Sequence, residues 1–264
     1  MPLPPRPRGF IFDLDGTLYR GERAIPGAAE FLVELEKRAL PYVFATNRAN
    51  RTPEEVAAQL RSMGIACRSE QILTSAQATA EALQPGRACI IGQPALIDAL
   101  ARNGIEATPG KPDYVIVGFD ETLTYRKLAT ACRWLLSGAR YIATNPDNTF
   151  NTADGVAPEN GAVIAAIHAA TGRMPEVIGK PEAPLFRSAR RLLNRLHPGL
   201  NADFDALCMV GDNLDTDILG AKRLGICTIL MMTGIARGPD AAADRRADIV
   251  AEDYAGLTQR LFSC

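Results

Sequence analysis

The chain has 264 residues, 47% of them apolar and 22% charged, and a formal net charge of -1. This is enough apolar material for one or two cored domains, and the near-neutral balance gives no basic footprint for nucleic acid and no polybasic membrane patch. Six cysteines (Cys67, Cys89, Cys132, Cys208, Cys227 and Cys264) lack zinc-knuckle or redox spacing and read as small buried hydrophobes of a reducing compartment.

The opening MPLPPRPRGF has no apolar run of the signal-peptide kind. The longest apolar stretch, GICTILMMTGIA, is about half of the ~20 residues a membrane span needs, so a cytoplasmic location is expected. The first strand, in GFIFDLDGTLYRG, ends in Asp13 and Asp15. GAAEFLVELEKRAL has apolar residues at helical spacing, and PYVFATN is a strand ending in Thr46 and Asn47. TPEEVAAQLRSMGI opens as a helix, with Thr at the N-cap, Pro at the first helical position and acids in the first turn.

ACIIGQ, PALIDALARNG, DYVIVGFD, YRKLATACRWLLSG and RYIATN continue the alternation of strand and helix. NPDNTFNTADG is long, polar and rich in turn residues, and reads as a loop before the helix GAVIAAIHAATG. PEVIGKPEAP delivers Lys180 just ahead of a helix, and ALCMVGD is a strand ending in Asp212. DTDILGAKRLG reads as a helix and ICTILMM as a strand. Near-continuous apolar strands separated by helices predict parallel sheets covered on both faces, an α/β fold with a Rossmann-like core. About nine or ten strands exceed what one open sheet usually holds, which predicts a second α/β domain inserted in the first. The expected division is a core of residues 1–83 and 179–264 and an insert of residues 84–178.

Ligands of parallel sheets bind beyond the carboxyl ends of the strands, where this chain places acid, hydroxyl, amine and acid again. Asp13 and Asp15 on an extended chain point to one face, ~7 Å apart, a gap that holds a phosphoryl group. With Asp212 nearby the carboxylates repel unless a cation sits among them, and oxygen-only ligands suit Mg²⁺. That cation and Lys180 would offset the charge of a phosphate dianion, while the Thr46 hydroxyl and adjacent backbone N–H groups would hold its remaining oxygens. A carboxylate nucleophile forming an aspartyl-phosphate divides one hard displacement into two.

FDLDGTLY, FATN, GKP and GDNLDTDILGA, in that order, resemble the four motifs of the haloacid dehalogenase superfamily. The insert, with VGFDETLTYRKLATA and ATNPDNTFNTADG, resembles the type II cap of its NagD-like phosphatases, which include phosphoglycolate, pyridoxal-phosphate and 4-nitrophenyl-phosphate phosphatases. The resemblance implies that Asp13 is the nucleophile and Asp15 the general acid/base. It implies phosphate contacts from Thr46, Asn47 and Lys180, and Mg²⁺ held by Asp13, Asp212 and the Asp15 carbonyl. Asp217 would orient a metal-bound water or Lys180, and Asn145 and Asp147 of the insert would help to select substrate. The implied activity is Mg²⁺-dependent hydrolysis of a small phosphorylated metabolite. Nucleic acid and membrane are excluded as partners, and a homodimer is left open.

The presence of Asp15 favours turnover of the phospho-enzyme. A phosphomutase or phosphotransferase shares these residues, and a non-enzymatic phospho-acceptor would leave Asp15 and the insert unexplained. Three departures from the subfamily's pattern bear on substrate: Arg48 in place of a second Asn, and Asn151 and Glu159 where proline and glycine are common.

Overall fold

In the computed structural model, two sheets of buried apolar strands organise the chain. The structure describes residues 7–152, 155–235 and 246–262. Packing divides the chain into one unit of Met1–Thr46, Pro53–Leu73 and Phe186–Cys264 and another of Asn47–Thr52 and Thr74–Leu185.

The first unit is built on a six-stranded sheet. From edge to edge its strands are Ile249–Ala251, Cys227–Met231, Leu207–Gly211, Gly9–Phe12, Tyr42–Thr46 and Ile72–Thr74. The central strand Gly9–Phe12 runs parallel to both neighbours, with Phe12 opposite Val210 on one side and Phe44 on the other. Every residue of Gly9–Phe12, Tyr42–Thr46 and Leu207–Gly211 is buried, which is why these strands read as unbroken apolar runs rather than alternating ones.

One face of this sheet is an aromatic layer. Phe12 meets the rings of Phe10, Phe31, Tyr42 and Phe44 at centroid distances of 6.0–6.3 Å, and Phe31 continues the layer to Tyr254 at 5.3 Å. The helix Ala28–Lys37 supplies Phe31 by burying Ala28, Phe31, Leu32 and Leu35, an i, i+3, i+4, i+7 stripe. Burying a ring such as Phe12 contributes about 2–3 kcal/mol, and truncating it to Ala costs about 3–5 kcal/mol.

The second unit has a five-stranded sheet in the order Glu176–Val177, Arg140–Ala143, Tyr114–Val117, Gly86–Ile91 and Ile105–Ala107, parallel throughout. Val115, Val117, Leu135, Tyr141 and Ile167 form its core with Ile91. Thr74 starts the helix Ser75–Ala82 with a reciprocal cap: its backbone N–H donates to Gln77 Oε1 at 2.9 Å and its hydroxyl accepts from Gln77 N at 3.3 Å. Thr124 caps the helix Tyr125–Leu136 in the same position.

Two local expectations are corrected. The stretch expected as a loop contains antiparallel strands, Thr149–Thr152 paired with Gly155–Pro158. The segment expected as a plain helix starts as a wide turn, Leu214–Ile218, before the short helix Leu219–Arg223. The Asn151 side chain and residues 153–154 lie outside the described residues.

Candidate active site

Asp13 follows the central strand directly, and its backbone N–H still donates across the sheet to Val210 O at 2.9 Å. The chain then turns around the Leu14 carbonyl, which accepts the N–H groups of Thr17, Leu18 and Tyr19 at 3.2, 2.8 and 3.3 Å. Gly16 allows that turn with φ of +77°, and a side chain there would run into the Asp212 carboxylate. The glycine after the two acids is therefore a requirement of packing acid against loop.

Asp212 stands at the matching end of the neighbouring strand Leu207–Gly211. The wide turn that follows closes with Ile218 N donating to Asn213 O at 3.2 Å, and it brings Asp217 back toward the strand end. Asn213 caps the turn by accepting from Asp215 N at 2.9 Å and Thr216 N at 3.3 Å. Asp215 itself is exposed and pairs with Arg246 at 2.7 Å.

Carboxylate oxygens of Asp13, Asp212 and Asp217 lie within 4.8 Å of one another, and the three residues are only 8, 2 and 1% exposed. Asp212 also accepts from Ile235 N at 2.6 Å, and Asp217 from Asn213 N at 3.2 Å. Three carboxylates this close and this buried repel one another, and a cation among them would offset that repulsion. An oxygen-only donor set fits a hard divalent ion that keeps part of its water shell. Asp15 is outside this trio. Its carboxylate accepts from the Tyr19 hydroxyl at 3.0 Å, so the two acids of the first motif have different surroundings. Thr46, 3% exposed, ends the strand next to Asp13's own.

In the second unit, Lys180 is 2% exposed and precedes a cis-proline, Pro181. Asn47 grips its backbone: Asn47 Oδ1 accepts from Lys180 N at 2.8 Å and Nδ2 donates to Lys180 O at 3.0 Å. The same Nδ2 donates to Asp147 Oδ2 at 3.0 Å. Asn47 O in turn accepts from Ser75 Oγ at 2.6 Å and from Asn145 Nδ2 at 2.8 Å. Asn145 Oδ1 accepts from Asp147 N, and Asn145 O from Asn160 Nδ2 at 2.8 Å. Glu159 caps the N–H of Asn160. Burial, joined by repulsion from Asp147, pushes the Glu159 carboxyl up to about 7 against the pull of its hydrogen bonds and of Arg48.

Residues 10–106 match the family model of haloacid dehalogenase-like hydrolases, and residues 177–257 a HAD-hydrolase-like model. The 5'-nucleotidase YutF of Bacillus subtilis is 36% identical, covering 87% of this chain and 89% of its own length. An acid sugar phosphatase of Staphylococcus saprophyticus is 37% identical, covering 86% of this chain and 87% of its own length. The solved structure of NagD from E. coli superposes with a TM-score of 0.86 at 32% identity, over 94% of this chain and 97% of that one. The chain belongs to the haloacid dehalogenase-like hydrolases, in their NagD-like phosphatase branch. It is an enzyme of the phosphoric monoester hydrolase class.

In this haloacid dehalogenase-like phosphatase the structure adds two residues that motif reading passes over. Tyr19 holds the Asp15 carboxylate, and Tyr254, whose phenol is raised far above its ordinary value by burial and by the charges of Asp13 and Asp212, underlies the acid loop. Tyr19 is four residues from its partner and so within reach of a local reading, whereas Tyr254 is separated from the loop by most of the chain. Among the described residues no helix is long and apolar enough to cross a membrane.

Proposed function

We propose that the protein hydrolyses a small phosphomonoester through an aspartyl-phosphate on Asp13, with Mg²⁺ as its cation and in the cytoplasm. The observation that supports this most directly is the buried trio of Asp13 and Asp212, at adjoining strand ends, and Asp217, in the turn that follows. Asp13, Asp212 and the Asp15 carbonyl are the proposed Mg²⁺ ligands, with Asp217 beside them. When bound, the ion would offset the negative charge of nucleophile and phosphate.

An Asp13 oxygen attacks phosphorus, and the bond to the leaving oxygen breaks as the protonated Asp15 carboxyl gives that oxygen its proton. Asp15, now a carboxylate, takes a proton from water, whose oxygen attacks phosphorus and releases inorganic phosphate and a free Asp13. Thr46, the backbone N–H of Asn47 and Lys180 are assigned to the phosphoryl oxygens. Residues 1–83 and 179–264 are assigned to the catalytic core and 84–178 to the cap, with Asn145 and Asp147 selecting the organic part of the substrate.

The relatives' names, a 5'-nucleotidase and an acid sugar phosphatase, differ in that organic part and share the ester. A panel of nucleoside monophosphates, sugar phosphates and 4-nitrophenyl phosphate, assayed for phosphate release with Mg²⁺, tests the reading. Release from at least one ester is expected, with Asp13 carrying phosphate in an acid-quenched sample. An isomerised phosphate ester without free phosphate would instead make the protein a mutase.

A further inference from the structure

We infer that Asn47 is a positioning residue for Lys180, acting through its side-chain amide. The inference rests on the proposed assignment of Lys180 to the phosphate and deepens it. A primary amide offers two N–H donors and one carbonyl acceptor. In Asn47 both donors are engaged, on Lys180 O and Asp147 Oδ2, each at 3.0 Å, and the carbonyl accepts from Lys180 N at 2.8 Å. The side chain therefore spends its donors on protein groups, and the atoms it fixes are the N–H and C=O of the lysine itself.

The clamp is anchored at its own base. Asn47 O is held by Ser75 Oγ and Asn145 Nδ2, so the amide cannot slide along the lysine's backbone. Gly179 completes the fit, because a side chain there would collide with Thr144 O and the Asn47 amide oxygen. The residue before the lysine thus has to be glycine for the amide to reach it. No near relative of asparagine makes the same grip. Serine is too short to bridge both backbone groups. Aspartate would set a carboxylate oxygen against both Lys180 O and Asp147 Oδ2.

The geometry of a phosphate-binding amine matters because misplacing a charged group by about 1 Å can cost on the order of 100-fold in rate. Asn47→Ser is accordingly expected to lower kcat/KM by roughly 10–100-fold, and Asn47→Asp by at least as much.

A double-mutant cycle with Lys180→Ala tests the route of action. If Asn47 works by aiming the lysine, Asn47→Ser costs less than about threefold once Lys180 is already Ala, a strongly non-additive result. Equal costs in both backgrounds would overturn the inference while leaving the phosphatase reading intact. Reductive methylation of Lys180, followed by peptide mass spectrometry, reads the same contact without any substrate. Asn47→Ser is expected to speed modification of this buried amine by about tenfold or more, through local opening. Unchanged protection would overturn the clamp even if no ester were hydrolysed. Asn47→Asp takes the place of Asn47→Ser in both experiments if the serine variant fails to fold. A wild-type protein that releases phosphate from no ester, with Lys180 still deprotected by Asn47→Ser, would refute the phosphatase reading alone.

Discussion

The Tyr254 hydroxyl donates to the carbonyl oxygen of Thr17 at 2.8 Å, so the helix Tyr254–Phe262 holds the turn that follows Asp15. Burial, together with the charges of Asp13 and Asp212, raises this phenol so far that it stays a donor at any working pH. Tyr254→Phe removes that donor from a buried carbonyl and is expected to cost about 1–3 kcal/mol of stability. Thermal unfolding measures it, and an unchanged Tm would show that the contact carries no net stabilisation.

The acid trio predicts opposite responses with and without metal. Two like charges about 5 Å apart repel by about 3 kcal/mol at an effective dielectric of ~20. Asp217→Asn should therefore raise the Tm of chelated protein and shrink the upward shift that Mg²⁺ gives the wild type. Beyond its Kd, each tenfold rise in Mg²⁺ should add about 1.4 kcal/mol to the wild type. Zinc should substitute poorly, since among the described residues no His or Cys accompanies the acids. A wild-type Tm indifferent to both chelator and Mg²⁺ would refute the cation assignment.

The two acids of the first motif should fail in different ways. Asp13→Asn is expected to lower phosphate release by on the order of 1,000-fold or more for every ester, because the proposed nucleophile is gone. Asp15→Asn should cost roughly 100- to 10,000-fold with an alkyl ester, yet spare the first step when the leaving group needs no proton. The check is a burst of 4-nitrophenol, one per enzyme, followed by a stall. Steady turnover by the Asp15 variant would move the acid/base role elsewhere.

Glu159 makes stability depend on pH. Its folded pKa of about 7 lies above the ordinary carboxyl value of 4.5, so the folded state holds the proton more tightly. The associated stabilisation is complete below pH 4.5 and is lost as pH rises through 7, up to about 3 kcal/mol in all. Glu159→Gln should flatten this fall between about pH 5 and 7.5. Identical Tm profiles for wild type and variant would remove Glu159 as its source.

Much of the fold was legible because the strands that hold it are buried on both faces. GFIF, LCMVG and the first four residues of YVFAT are buried apolar runs, and the acids that follow two of these strands stand out as interruptions of such runs. The hairpin of Thr149–Thr152 and Gly155–Pro158 was hidden because Thr and Asn give no period-two alternation, and turn residues dominate the stretch. Ile72–Thr74 and Ile249–Ala251 are three residues each, too short to show a period. The approach of Asp217 to Asp13 depends on a wide turn from Asn213 to Ile218, which spacing alone cannot tell from an ordinary helical one. Cys208 and Cys227 looked unrelated in sequence, yet strand register makes them partners with sulfurs 3.3 Å apart. Asn47 stands out in the sequence as a strand-end polar residue, but its grip on Lys180 joins chain segments that no local pattern connects.

The pairing of Gly9–Phe12 with Leu207–Gly211 at the centre of the first sheet sets the order of events on the ribosome. The strand Gly9–Phe12 emerges first, but one of its two edges has no neighbour until Leu207–Gly211 has been synthesised. Until then the early chain presents an apolar strand edge, the kind of surface that recruits chaperones and seeds aggregation. The same delay keeps Asp13 apart from Asp212 and Asp217, so the nascent chain carries no gathered carboxylates to repel one another. Asp13 and Asp212 thus come together only as the central strand pair closes.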